Sequence, residues 1–177
     1  MRDNGHVPRP SRQAPDIAAL ERAVMKAAYY SAVLDRPAED VWALVRDYSR
    51  CIEGVDQRTI EDERPGDSVG AVRSVRYGSK WIRQRLVALS DADRTFTYAS
   101  IEPFRFPSQD GVTSPLMPIE YRGTLRVTRV VDGDRALVEW WLNFDCNPDE
   151  RDRWTSFLIG AISQWVASLE RTVTKAR

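Results

Sequence analysis

Histidine is almost missing from this chain, and the single example, His6, sits in an N-terminal stretch rich in proline and arginine. One histidine leaves no Ser-His-Asp or Cys-His relay and no histidine-ligated metal centre. Cysteine is nearly as scarce. Cys51 and Cys146 are the only two, which suits a reduced, cytoplasmic setting better than a disulfide scaffold. Lysine is confined to Lys26, Lys80 and Lys175, so almost all the positive charge is arginine. The 26 basic and 26 acidic side chains cancel, which removes the basic excess expected of a nucleic-acid binder. No apolar run of about 18 residues or more exists, so no membrane-spanning helix is expected. The first residues also lack the apolar core of a secretion signal. CxxC, GxGxxG and phosphate-loop patterns are absent too. Any catalysis then rests on carboxylates, tyrosines, arginines or bound water, with no metal and no cofactor.

What is present is enough for one domain. The 177 residues are 42% hydrophobic and 29% charged, a balance that buries a real core. Residues 1–27 read as a flexible extension, with Ile17, Leu20 and Val24 sharing one face of a candidate short helix over 16–27. Residues 28–177 read as a single domain. "AYYSAVLDR" (28–36) is a strand. Pro37 then opens "PAEDVWALVRDYS" as a helix with Val41, Leu44, Val45 and Tyr48 on its buried stripe. Further strands are expected at 55–62, 69–78, 80–89, 94–102, 120–131 and 135–145. "RPGD", "YGS", "SDADR" and "VDGDR" are the turns between them. A long amphipathic helix over about 149–174 closes the chain, with Pro148 at its start, acids in its first turn and bases in its last. A strand, a helical segment, six antiparallel strands and a terminal helix make an α+β layout, in which the sheet covers the helix on one face.

The segments "RPAEDVWALVRDYS", "SPLMPIEYRGTLRVTRV" and "RALVEWWLNFD", followed by the terminal helix, resemble the START/pollen-allergen superfamily known as SRPBCC. The likeness is to its polyketide cyclase/dehydrase-like branch and extends over roughly residues 28–173. The resemblance implies a helix-grip fold, a seven-stranded antiparallel sheet curled round the terminal helix, with an apolar cavity between them. It also implies a ligand drawn from lipids, hormones, quinones or polyketides. Some members cyclise or dehydrate; many only bind.

Strand parity then assigns side chains to the cavity, because neighbouring residues point to opposite faces. In "ALVEWWLNFD" the inward set is Val138, Trp140, Leu142 and Phe144, which sends Trp141 outward. An indole on that face is an interface candidate, for the N-terminal extension or for a second copy in a homodimer. The same parity turns Tyr121, Gly123, Leu125 and Val127 inward, together with Phe96, Tyr98 and Ser100. Ile82, Gln84 and Leu86 join them, as do Val75 and Tyr77. On the terminal helix Leu158, Ile162, Val166 and Leu169 face the sheet, while Phe157, Ala161 and Trp165 look into the cavity. Gly123 leaves room for a ligand to approach the backbone. Tyr77, Gln84, Tyr98, Ser100 and Tyr121 form either a satisfied internal network or a row of hydrogen-bonding groups for an oxygenated ligand.

Three further stretches carry expectations. "CIEGV" places Glu53 between an apolar residue and a glycine. Most glutamates are solvated. In relatives, however, similar positions carry the polar group that meets the ligand, and burial would fit Glu53 for proton transfer, with Tyr98 or Tyr121 steadying an enolate. Asp56 and Glu120 are weaker candidates of the same type. "PFRFPSQDGVTSPLMP" (103–118) is a candidate lid carrying Phe104, Phe106, Leu116 and Met117. Arg73, Arg76, Lys80, Arg83 and Arg85 read as a solvated strip on the outer sheet face. The leading function is a cofactor-free cyclase or dehydratase acting on a hydrophobic, oxygenated small molecule. A non-catalytic carrier or sensor of such a ligand is the alternative. A third reading is an interaction module with a vestigial cavity, docking through Trp141 and the tail.

Overall fold

The polypeptide alternates along its strands as the sequence requires, and the computed structural model describes residues 28–48, 57–59, 65–77, 80–102, 121–146 and 148–175. The candidate helix at 16–27, the lid at 103–118, and Glu53, Asp56, Glu120 and Met117 lie outside the described residues.

Strand β1 (Ala28–Leu34) leads into α1 (Ala38–Val45) through Pro37, whose carbonyl accepts the first helical bond from the Val41 N–H at 3.2 Å. Val41, Leu44 and Val45 are buried as their spacing demands. The helix stops before Tyr48, which the sequence pattern had included. Its N–H leaves the helical ladder and donates to the Gly66 carbonyl at 2.9 Å, yet its ring stays buried. Then come β2 (Gln57–Thr59), β3 (Val72–Tyr77), β4 (Lys80–Ser90), β5 (Thr95–Ser100), β6 (Arg122–Val130) and β7 (Arg135–Asn143). A 3-10 turn at Pro148–Glu150 precedes α2 (Arg151–Lys175), a helix of 25 residues. The β6–β7 turn places Gly133 and Asp134 at positive φ, which glycine and aspartate tolerate best.

All strands pair antiparallel in one seven-stranded sheet, ordered β1-β7-β6-β5-β4-β3-β2, that curls around the terminal helix. This is the helix-grip layout expected from the sequence. The register shifts between Leu86 and Ala88, so β4 carries one extra residue against β5. Ile82, Gln84 and Leu86 are buried on one side of the shift, and beyond it Leu89 packs against the core. α2 buries Trp154, Leu158, Ile162, Trp165, Val166, Leu169 and Val173, at steps of three and four that keep one stripe turned inward. Among the described residues no helix is long and apolar enough to cross a membrane.

Candidate functional site in the sheet interior

Parity decides which side chains meet inside. Tyr98 on β5, Tyr121 just before β6, Trp140 on β7 and Trp165 on α2 are all buried and form one aromatic wall. The Tyr98 and Tyr121 hydroxyls lie 3.2 Å apart, either able to donate to the other. Trp140 stands edge-on to Tyr98, with centroids 6.1 Å apart, and to Trp165 at 4.6 Å and 84°. An edge-to-face pair of this kind contributes about 0.5–1.5 kcal/mol beyond the area it buries. Trp141, one residue on, is half-buried on the other face, with the Arg126 guanidinium 5.7 Å from its ring centre. That outer face is not simply wet. Glu139 is buried there, accepting from Arg126 Nε at 2.8 Å and from the Tyr29 hydroxyl at 3.0 Å. An open recess of about 530 Å³ borders Trp141, Arg126, Leu89 and Thr97, and none of the residues expected to line the ligand cavity borders it.

Two expectations need correction. Gly123 was read as clearance for a ligand. It lies opposite Tyr98 in the β5–β6 register, and a Cβ built on it would run into the Tyr98 ring. The glycine therefore seats a tyrosine, and the space belongs to the protein. Arg73 was read as part of a solvated strip, but only 4% of it is exposed. Its Nε donates to Gln84 Oε1 at 3.0 Å, and its guanidinium lies 3.9 Å from the Tyr48 ring centre and 5.3 Å from that of Tyr98. Arg73 faces Gln84 across the β3–β4 register and shares the parity of buried Val75. A long aliphatic stem and a flat, stackable head let arginine enter an aromatic interior where lysine would not. The other members of the strip fare differently: Arg76 and Arg85 are exposed and Arg83 is half-buried.

Gln84 is the hub of the polar part, since its Oε1 also accepts from the Tyr48 hydroxyl at 3.3 Å. Ser100 lies opposite Gln84 in the β4–β5 register, so Arg73, Gln84 and Ser100 form a row across three strands. Phe96, buried at the next inward position but one from Tyr98's neighbour Ser100, packs its ring on Tyr48 at 5.7 Å. Buried Ser100 Oγ, Trp140 Nε1 and Trp165 Nε1 have no hydrogen-bond partner among the described residues. Phe157 and Ala161 are half-buried on α2, and Phe157 stands edge-on to Trp154 at 6.1 Å. Tyr77 is the last residue of β3. Tyr48 and Arg73 are the site residues that sequence reasoning missed; the signal for Arg73 was its parity with Val75 and Tyr77. Burial pushes the Cys146 thiol above its ordinary range, which makes it a poor nucleophile. Among the described residues no three His, Cys, Asp or Glu side chains come together to hold a metal ion.

Solved structures share this architecture. A protein from Thermobifida fusca is similar at a TM-score of 0.63 and 24% identity, over 84% of this chain and 93% of its own. One from Nitrosospira multiformis gives 0.62 and 22%, over 81% of this chain and 93% of its own. A norcoclaurine synthase point mutant from Thalictrum flavum, in complex with a transition state analogue, gives 0.56 and 13%, over 84% and 93%. At such identities the likeness is one of fold. No curated protein matches the sequence. The model of the family described as polyketide cyclase / dehydrase and lipid transport matches residues 25–174, and the chain belongs to that family.

Proposed function

We propose that the chain binds a hydrophobic, oxygenated small molecule between the sheet and α2 and cyclises or dehydrates it without a cofactor. The observation that carries this reading is the buried Tyr98–Tyr121 hydroxyl pair, set in an aromatic wall. Ligand pockets combine apolar walls with a few polar anchors in this way. In the proposed reaction Glu53 takes a proton from the carbon beside a carbonyl. A tyrosine hydroxyl donates to the oxygen as it gains charge, and the carbon attacks a second carbonyl of the same molecule. The proton returns to the new alkoxide, and loss of water completes a dehydration. A synthase of the same fold holds a transition state analogue, which supports chemistry as well as binding in such a frame. The setting proposed is cytoplasmic secondary metabolism.

The near absence of histidine favours a second reading, a non-catalytic carrier or sensor of a lipid, quinone or hormone-like ligand. Turnover separates the two. A panel of linear 1,5-diketones, whose terminal carbon can close a six-membered ring on the far carbonyl, is incubated with wild type, Tyr121→Phe and Glu53→Gln, and product is followed by mass spectrometry. The enzyme reading expects both variants to lose about 10²–10⁴ in rate with affinity little changed. Binding without turnover in wild type leaves the carrier; a Glu53→Gln variant as fast as wild type removes Glu53 from the mechanism.

A further inference from the structure

We infer that the ligand of this interior is a carboxylate, a compact apolar molecule whose anionic head docks on the Arg73 guanidinium. The inference rests on the ligand site proposed above and adds the charge of its occupant. Arg73 is buried, and the partners it meets among the described residues are neutral: the Gln84 carbonyl oxygen and the faces of Tyr48 and Tyr98. No ion pair to it is formed among those residues, and Gln84 Oε1 is already shared with the Tyr48 hydroxyl. Arginine is a fixed charge, so it cannot relieve its burial by giving up a proton. Two rings lie against the guanidinium, and the hydrogen bond it makes among the described residues runs from Nε to Gln84. A carboxylate has the matching pair of oxygens.

A second observation points the same way. Trp140 and Trp165, 3% and 7% exposed, each keep an indole N–H with no acceptor among the described residues, and Ser100 Oγ is likewise unpartnered. An indole nitrogen only donates. Among the described residues the two indoles are therefore donors left over, and an occupant satisfies them by bringing acceptors. Ser100 stands in the same cross-strand row as Arg73 and Gln84. One guanidinium is the only cation buried here among the described residues, which fits a single negative charge better than a phosphate dianion.

The test compares 2-naphthoic acid and 4-phenylbutanoic acid with their methyl esters, by calorimetry and tryptophan fluorescence at neutral pH. Each acid is expected to bind wild type at least about tenfold more tightly than its ester, a difference of about 1.4 kcal/mol. Arg73→Met should erase the preference, and Arg73→Lys should keep part of it. Equal binding of acid and ester to wild type overturns the carboxylate and leaves the ligand site standing; a preference that survives undiminished in Arg73→Met overturns the docking on Arg73. Failure of all four probes to bind counts against the ligand site itself, and the inference falls with it. Should Arg73→Met not fold, the wild-type ratio and Arg73→Lys decide.

Discussion

Arg46 and Arg73 are the same residue put to opposite uses. Arg46 follows α1 on the surface and meets two carboxylates, Asp91 at 3.0 Å and Asp67 at 3.2 Å. Trp42 Nε1 donates to the same Asp91 oxygen at 2.8 Å, so the contacts tie α1 to the β4–β5 turn. Arg73 has the better-sheltered position and no carboxylate among the described residues. In water an ion pair contributes little, because both charges are already solvated. In the interior a guanidinium without a carboxylate partner costs stability, and on the inference above its use is to hold an anion. The surface arginine fastens; the buried one, on the inference above, receives an anion.

The sharpest way to break this contrast is through Gln84. Gln84→Leu strips the guanidinium of its one hydrogen-bond acceptor among the described residues and should cost about 3 kcal/mol in urea unfolding. A loss no larger than that from Arg46→Met would mean Arg73 is not stranded. Arg73→Met makes the complementary point with a smaller effect. An apolar chain of similar volume should leave stability unchanged or raise it by about 1–2 kcal/mol, even as acid binding disappears. A clear loss of stability would show that Arg73 belongs to the scaffold. The smallest effect falls on the surface pair. The hydrogen bond from Arg46, and then that from Trp42, holds the Asp91 carboxyl below its ordinary value of 3.8. A depressed carboxylate contributes stability above its unfolded value and loses it as pH falls through the folded one. Wild type should therefore exceed Asp91→Asn slightly at neutral pH, with the gap closing under acid below that ordinary value and shrinking in high salt. A gap independent of pH would assign the effect to shape instead of charge.

Much of the architecture is legible because two periods dominate this sequence. Alternation along "ALVEWWLNFD" separates Trp140 from Trp141, and the structure puts them on opposite faces. Steps of three and four from Trp154 to Val173 define the buried stripe of α2. The site is less legible, for reasons that lie in particular residues. Parity places Arg73 with Val75, but its charge argues for water, and the rings that make burial tolerable come from Tyr48 and Tyr98, far away in sequence. Gly123 reads as empty space because nothing local reveals that Tyr98 lies across it. The extra residue between Leu86 and Ala88 leaves no mark on composition, although it resets which side of β4 faces inward.

The strand order has a consequence in time. Neighbouring strands from β3 to β7 follow one another along the chain, but β1 lies beside β7, with Tyr29 opposite Trp141 and Ala28 opposite Leu142. Of the described strands, the first to be made thus pairs with the last. The hairpins between can zip locally; the β1–β7 seam must close a loop longer than a hundred residues, a slow kind of step. Until it closes, β1 offers an unpaired edge bearing two tyrosines, Tyr29 and Tyr30, so misassembly in this protein should begin at its first strand.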